Sequence, residues 1–384
     1  MAVPSPAPTA SHETPRPLTV VQVLPALASG GAERSTLEIG RALVSAGHRS
    51  VVISGGGRLV AELEAEGSRH VTLPVGRKSL ATLFQVRAVR RVLTETGADI
   101  VHARSRLPAW LALAALRSMP RRPHFVTTVH GLNSPGLYSS VMLRGERIIV
   151  VSHSVRDFVL RHYPWVDPAR LRVVPRGVDP AAFPYGYRPD EGWRQRLLAE
   201  FPQLVGAPLL TLPGRGTRLK GHAEALELLA GLVSRGIEVR LLLLGIVQEG
   251  REDYLAEMHA LADRLGIADR VAWSPPRADV RDVLASSALV LQLSTHPESF
   301  GRTVIESLAL CRPVLGYAHG GVGDLLAELY PAGRVAPGNR ERLIERAAEL
   351  LRLAPPIPPP QRYTLEAMQQ ATLAVYAELA GASA

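Results

Sequence analysis

Short apolar segments rich in Val, Leu and Ile alternate with stretches of helical period along nearly the whole chain, and this alternation limits the fold more than any other feature. Residues 18–24, 50–54, 100–102, 125–129, 148–151 and 171–174 read as buried strands, with helical patterns such as 32–46 and 107–116 between most of them. The pattern breaks across 180–208, where Pro, Gly and Tyr accumulate. It then restarts with strands at 209–212, 239–244, 271–273, 289–293 and 313–317, and helices at 221–234, 253–265, 303–310 and 340–353. A helix between two strands returns the chain in the same direction, so such strands pair in parallel. The reading is α/β: two Rossmann-like, doubly wound domains at 18–185 and 208–362, with a linker at 186–207. Ligands of such sheets bind beyond the carboxyl ends of the strands, so two facing halves would enclose a cleft.

Composition narrows the class. Hydrophobic residues make up 46% of the 384 residues, enough for a core in each half. No apolar run approaches the roughly 20 residues of a membrane span. Residues 1–17, rich in Pro, Ala and Ser, lack the apolar stretch of a signal peptide and are expected to form a disordered tail. Cys311 is the single cysteine, which rules out an intramolecular disulfide and fits a reducing, cytoplasmic setting. The net charge is +9, yet zinc-ligand spacing, RNP-like motifs and frequent aromatics are all missing, so no nucleic-acid partner is expected. Lys78 and Lys220 are the only lysines among 44 basic residues, so a lysine carries more information here than an arginine.

The segment Pro297-Glu298-Ser299-Phe300-Gly301-Arg302-Thr303-Val304-Ile305-Glu306 carries two carboxylates eight residues apart across a glycine turn into a helix. Backbone amides at Phe300, Gly301, Arg302 and Thr303 would open that helix, a natural place for an anion. A phosphate held between two hydroxyl-binding carboxylates is the outline of a nucleotide sugar; spacing alone equally fits a capped surface helix. A second segment, Pro213-Gly214-Arg215-Gly216-Thr217-Arg218-Leu219-Lys220-Gly221, follows a strand and opens a helix. Arg215 and Lys220 there could neutralise a diphosphate, with Gly214 and Gly216 allowing close approach. Gly30 and Gly31 lie between the first strand and first helix, His130-Gly131 ends a strand, and Arg176 sits in Val174-Pro175-Arg176-Gly177-Val178-Asp179. His319-Gly320-Gly321-Val322-Gly323-Asp324 reads as a further loop lining the cleft.

The Glu298–Glu306 segment resembles the E-x7-E motif of retaining GT-B glycosyltransferases, in particular glycosyltransferase family 4, and the likeness runs roughly from residue 19 to 379. The resemblance implies that Glu298 meets hydroxyls of the donor sugar and Glu306 those of the ribose, with Ser299, Phe300, Gly301, Arg302 and Thr303 between them. The glycine-arginine-lysine loop matches the family's G-R-x4-K-G pattern, which implies Arg215 and Lys220 on the departing diphosphate. Gly30 and Gly31 correspond to a donor-contacting loop, and His130 to a histidine beside the sugar ring. The family more often has Asn where Arg176 stands, so Arg176 is expected to touch a phosphate or the acceptor. The last amphipathic helix, 364–380, is expected to pack back on the first domain. No Asp-x-Asp follows a strand, so no metal and no cofactor beyond the nucleotide-sugar co-substrate is implied.

Retention of configuration follows from the resemblance, by front-side substitution without a covalent intermediate. The expected acceptor is a glycan or a lipid-linked glycan of lipopolysaccharide or surface polysaccharide assembly, supported by the stretch Val101-His102-Ala103-Arg104-Ser105-Arg106. Arg77, Lys78, Arg87, Arg90 and Arg91 cluster around one helical stretch, which suggests peripheral contact with anionic lipid at the inner face of the cytoplasmic membrane. A UDP-sugar is the expected donor. A nucleotide-sugar epimerase or hydrolase, or a non-catalytic binding protein, are the alternatives on the same fold.

Overall fold

The computed structural model describes residues 16–381 except 29, 78–81, 83 and 360. Most of the expected tail, residues 1–15, and the expected membrane-facing Lys78 lie outside the described residues. Within them, seven strands form one sheet: β1 Thr19–Val23, β2 Arg49–Ser54, β3 Arg69–Thr72, β4 Ile100–Ala103, β5 His124–Val129, β6 Arg147–Val150 and β7 Leu171–Val173. Six form another: β8 Leu209–Pro213, β9 Arg240–Leu244, β10 Val271–Ser274, β11 Leu289–Gln292, β12 Val314–Tyr317 and β13 Arg334–Val335. The orders are β3-β2-β1-β4-β5-β6-β7 and β10-β9-β8-β11-β12-β13. By internal packing the chain resolves into two compact units, Met1–Phe125 and Val126–Ala384.

Pairing is parallel wherever register is defined; Val21, for example, lies opposite Val51 on one side and Val101 on the other. Helices cover parallel strands on both faces, which is why β1, β4 and β11 are buried along their whole length and are mostly apolar, with Gln22, His102 and Gln292 buried among them. The second sheet is the doubly wound arrangement in full. Strand order reverses between β8 and β11, so the loops that follow these two strands diverge to opposite faces and leave a crevice at their carboxyl ends.

Several elements escape the periodicity. β3 is an edge strand with exposed ends at Arg69 and Thr72 and only half-buried residues between them, so its sequence, Arg-His-Val-Thr, has no apolar run. β13 is two residues long. The break at 186–207 contains a helix, Glu191–Glu200, started by Asp190, whose side chain accepts from the Trp193 amide. That helix buries only Leu197, so its apolar stripe is too thin to read. Leu197, Phe201 and Leu204 nonetheless pack against Leu209, Leu242 and Leu244 under the second sheet.

The final helix, Leu365–Gly381, is tied at both ends to the strands and loops after residue 125. Thr364 bridges Val178, and a side chain at Gly177 would place its Cβ 2.1 Å from the Thr364 carbonyl oxygen. Farther along, Glu378 accepts from Arg147 at 2.7 Å and from Arg172 at 2.6 Å. Hydrogen bonds from these two guanidinium groups hold the Glu378 carboxyl down at about 2, against 4.5 ordinarily. A lowered carboxylate pKa stabilises the fold above the unfolded value and loses that contribution as pH falls through the folded one. Glu378 is 37% exposed, so solvent screening limits the effect to about 1 kcal/mol. In urea titrations Glu378→Gln is expected to be less stable than wild type at pH 6, with the gap closing as pH falls from 4.5 toward 2.

Candidate functional site

Both strands flanking the reversal point of the second sheet end in sequence motifs. After β8 the chain runs through Gly214 to Thr217, makes a single tight turn at Arg218–Lys220, and enters the helix His222–Ser234. Gly221 makes the junction in the left-handed region, φ +77°, where glycine is favoured. It must also be small: a Cβ there would fall 1.9 Å from the carbonyl oxygen of Leu293, just past β11. The two loops are then laced by the Thr295 amide, which donates to the Leu219 carbonyl at 3.0 Å.

This close approach brings Lys220 and Glu298 together. Lys220 Nζ lies 2.6 Å from Glu298 Oε1, with the side chains 26% and 23% exposed. Ser294 Oγ donates to the same carboxylate oxygen. The segment expected as a loop after β12 is instead the start of a helix, Gly320–Leu329, with His319 at its N-cap, and it braces the arrangement: His319 Nε2 bonds the Ser294 carbonyl at 2.8 Å, and the Gly321 amide donates to the Glu298 carbonyl at 2.7 Å. A Cβ at Gly320 would fall 2.5 Å from that Glu298 oxygen, and one at Gly321 would fall 2.4 Å from Phe300 Cα. The glycine pair therefore lets the start of this helix lie flat on the loop. Asp324, expected to line the cleft, accepts from the Ser154 amide at 2.9 Å, a structural tie.

Glu306 lies on the helix Arg302–Ala309, half-buried. Gly301 precedes that helix at φ +97° and, as the N-cap residue, offers no side chain to cap it. Phe300 is buried and stacks obliquely near Tyr363, 6.1 Å between rings. The Ser299 carbonyl accepts from Ser152 Oγ at 2.7 Å, and Arg302 donates to the Gly177 carbonyl at 3.3 Å. Thr303 is half-buried on the first turn. Of the cations in the β8 loop, Arg218 is paired with Glu257 at 2.6 Å and lies over the Tyr254 ring. Arg215 is exposed and makes no ion pair among the described residues.

His130 directly follows β5, and its Nδ1 meets the Arg176 guanidinium. Sequence reasoning had singled out these two residues separately. A guanidinium only donates, so Nδ1 must accept and the ring proton sits on Nε2. Gly30, in the other unit, precedes the helix Gly31–Ser45 at φ +151°; a side chain at Gly31 would meet nothing within 4 Å, so packing does not demand glycine there.

His222 was missed by sequence reasoning, the only cue being its place next to Gly221. It is fully buried, with Nδ1 3.1 Å from the Tyr254 hydroxyl. Burial, reinforced by the Lys220 charge and opposed by backbone hydrogen bonds, pushes its pKa down to about 4 from 6.5. Between those values the unfolded chain holds a proton that the folded one refuses, so stability falls as pH drops from 6.5 toward 4. His222→Gln is expected to lack that slope in denaturation measured across the same range. Gly221→Ala is expected to cost about 2–3 kcal/mol in urea unfolding, from the clash with Leu293 and the positive φ.

Residues 29–182 match the family model described as Glycosyltransferase Family 4, and residues 198–369 match that described as Glycosyl transferases group 1. A glycosyltransferase from Rickettsia africae is similar in structure, with TM-score 0.82 and 26% identity over 94% of this chain and 98% of that one. Anabaena Alr3699/HepE, solved with UDP and glucose, shares the fold at TM-score 0.76 and 19% identity, over 94% of this chain and all of its own. Among curated proteins, the D-inositol 3-phosphate glycosyltransferase of Xylanimonas cellulosilytica is 32% identical over 49% of this chain. The matched part spans 44% of that relative's length, so the chain covers less than half of it. With the two family models together spanning both sheets, and with the fold of GT-B enzymes around them, this chain belongs to glycosyltransferase family 4.

Proposed function

We propose that the protein is a retaining glycosyltransferase that moves a hexose-type sugar from a UDP-sugar to a glycan or lipid-linked acceptor in lipopolysaccharide or surface polysaccharide assembly. The observation that carries this reading is the contact between Lys220 and Glu298 at the reversal point of the second sheet. A cation and a hydroxyl-binding carboxylate, joined by two loops and braced by the start of a helix, suit a ligand in which a phosphate adjoins a sugar. HepE, which shares the fold, was solved with UDP-glucose, and this supports the choice of donor.

In this reading Arg215 and Lys220 take the diphosphate, with help from the uncapped start of the helix Arg302–Ala309. Glu298 accepts from sugar hydroxyls and Glu306 from the ribose, while Ser299 to Thr303 carry the donor between them. Gly30 and Gly31 leave room for it. His130, held by Arg176, lies beside the sugar ring and positions it. The acceptor oxygen bonds to the anomeric carbon on the face from which the diphosphate leaves. The breaking bond's electrons pass to the phosphate oxygen, which takes the acceptor's proton. Preorganised cations matter most at this step, because charge develops on the leaving group. No metal is required, so EDTA should leave turnover unchanged.

No helix of the described residues is long and apolar enough to cross a membrane. The helix Gln85–Glu95 exposes Arg87, Arg90 and Arg91, and Phe84 before it is 72% exposed, which supports peripheral attachment at the cytoplasmic face. Curated relatives named for D-inositol 3-phosphate favour a phosphorylated polyol as the second acceptor to try.

UDP is expected to raise the melting temperature of the wild type by mass action. Lys220→Ala should abolish the shift and lower kcat about 100-fold or more, as for loss of one transition-state contact. Arg218→Ala, whose side chain is engaged with Glu257, should bind UDP as wild type does. A wild type that ignores UDP, GDP and ADP alike near millimolar would overturn the donor assignment. NMR of the product anomer checks retention, and donor breakdown without any acceptor would point to the hydrolase.

A further inference from the structure

At the opposite, amino-terminal end of the second sheet lies a cleft of about 430 Å³, within the range of ligand pockets. The start of β8 at Leu209, the segment Ser286–Ala288 ahead of β11, and Arg312 just before β12 form its floor, and the helix Glu191–Glu200 forms one wall. Trp193, Leu197, Leu198 and Leu204 make that side apolar. Trp193 is held in place by its indole N–H, which donates to Asp279 at 2.8 Å.

Two polar side chains of this cleft have no partner among the described residues. Arg312 makes no side-chain hydrogen bond or ion pair among the described residues, and its Nε is buried. Ser286 Oγ is likewise buried and unpartnered. Arg194 lines the same cleft, with Glu191 3.6 Å away as its acidic neighbour. Burial first, then the positive charges of Arg188 and Arg194, lower the Arg312 pKa, and only the neighbouring Cys311 opposes them. A half-buried guanidinium that shares its cleft with Arg194 and has no carboxylate paired to it is costly unless an anion comes from outside.

We propose that this cleft binds a phosphate monoester carrying an apolar body, with Arg312, Arg194 and Ser286 on the phosphate and Trp193 against the body. Phosphate fits better than a carboxylate because it offers two charges and several acceptors to guanidinium forks. A purely polar anion would leave the Trp193–Leu204 wall wet. The site lies at the end of the sheet remote from Lys220 and Glu298, so it is separate from the donor site.

Phenyl phosphate is the probe, with phenol and inorganic phosphate as controls, read by calorimetry and by the fluorescence change that Trp193→Phe removes. Saturable binding of phenyl phosphate, weakened about tenfold or more by Arg194→Gln and by Arg312→Gln, supports the site. Arg194 is 58% exposed, so its variant should fold even if that of Arg312 does not. Phenyl phosphate binding that neither substitution weakens, or no binding at all, overturns it. Inorganic phosphate or phenol binding as tightly as phenyl phosphate also overturns it. Vesicles of phosphatidylcholine with phosphatidic acid distinguish the source: sedimentation that depends on Arg194 assigns a lipid headgroup, and its absence beside phenyl phosphate binding assigns a soluble ester. UDP binding is followed in the same variants and should persist, so failure at this cleft and failure at the donor site are read separately.

Discussion

Gly221 lies so close to the Leu293 carbonyl that no side chain fits between them, and the candidate donor site depends on that contact. It joins the loop after β8 to the loop after β11, strands that are neighbours in space although Lys220 and Glu298 are 78 residues apart in sequence. Once the two backbones touch, the Lys220 ammonium reaches the Glu298 carboxylate at 2.6 Å without further adjustment. The left-handed φ at Gly221 turns the chain into the following helix at the same point, so one residue serves both the turn and the approach.

Electrostatics around the site follow from its place at the rim of a dry sheet. The strands beneath are buried except at Pro213, where β8 ends, so charges project from the loops, where water reaches them in part. Glu298 keeps Lys220 paired and collects a hydroxyl from Ser294, whose carbonyl is in turn held by His319. His222, one residue beyond the turn, is enclosed and therefore stays neutral, so no second positive charge competes with Lys220 beneath the loop. Opposite charge management prevails at the other end of the sheet, where Arg312 is half-buried without an acid.

The alternation of strand and helix, and the glycine, lysine and glutamate spacings, were legible because each depends on neighbours a few residues apart. Elements without a local signature were not. β3 has no apolar run because it sits at an edge, and the helix Glu191–Glu200 buries a single leucine, so both vanish into the polar background. His222 was hidden because a lone histidine beside a glycine looks like any surface residue until the sheet closes over it.

By itself, then, the sequence determined the class of fold, the places where loops must be glycine-rich, and which residues carry charge next to those loops. Only the tertiary structure decided which loops meet. Strand order in a parallel sheet is set by long-range packing of crossover helices and leaves no trace in the period of any one strand. The pairing of Lys220 with Glu298, the meeting of His130 with Arg176 that assigns the imidazole proton, and the gathering of Arg194, Ser286 and Arg312 around one cleft all arise at that level. Each joins residues dozens of positions apart, brought together by the folded sheet and not by their place in the chain.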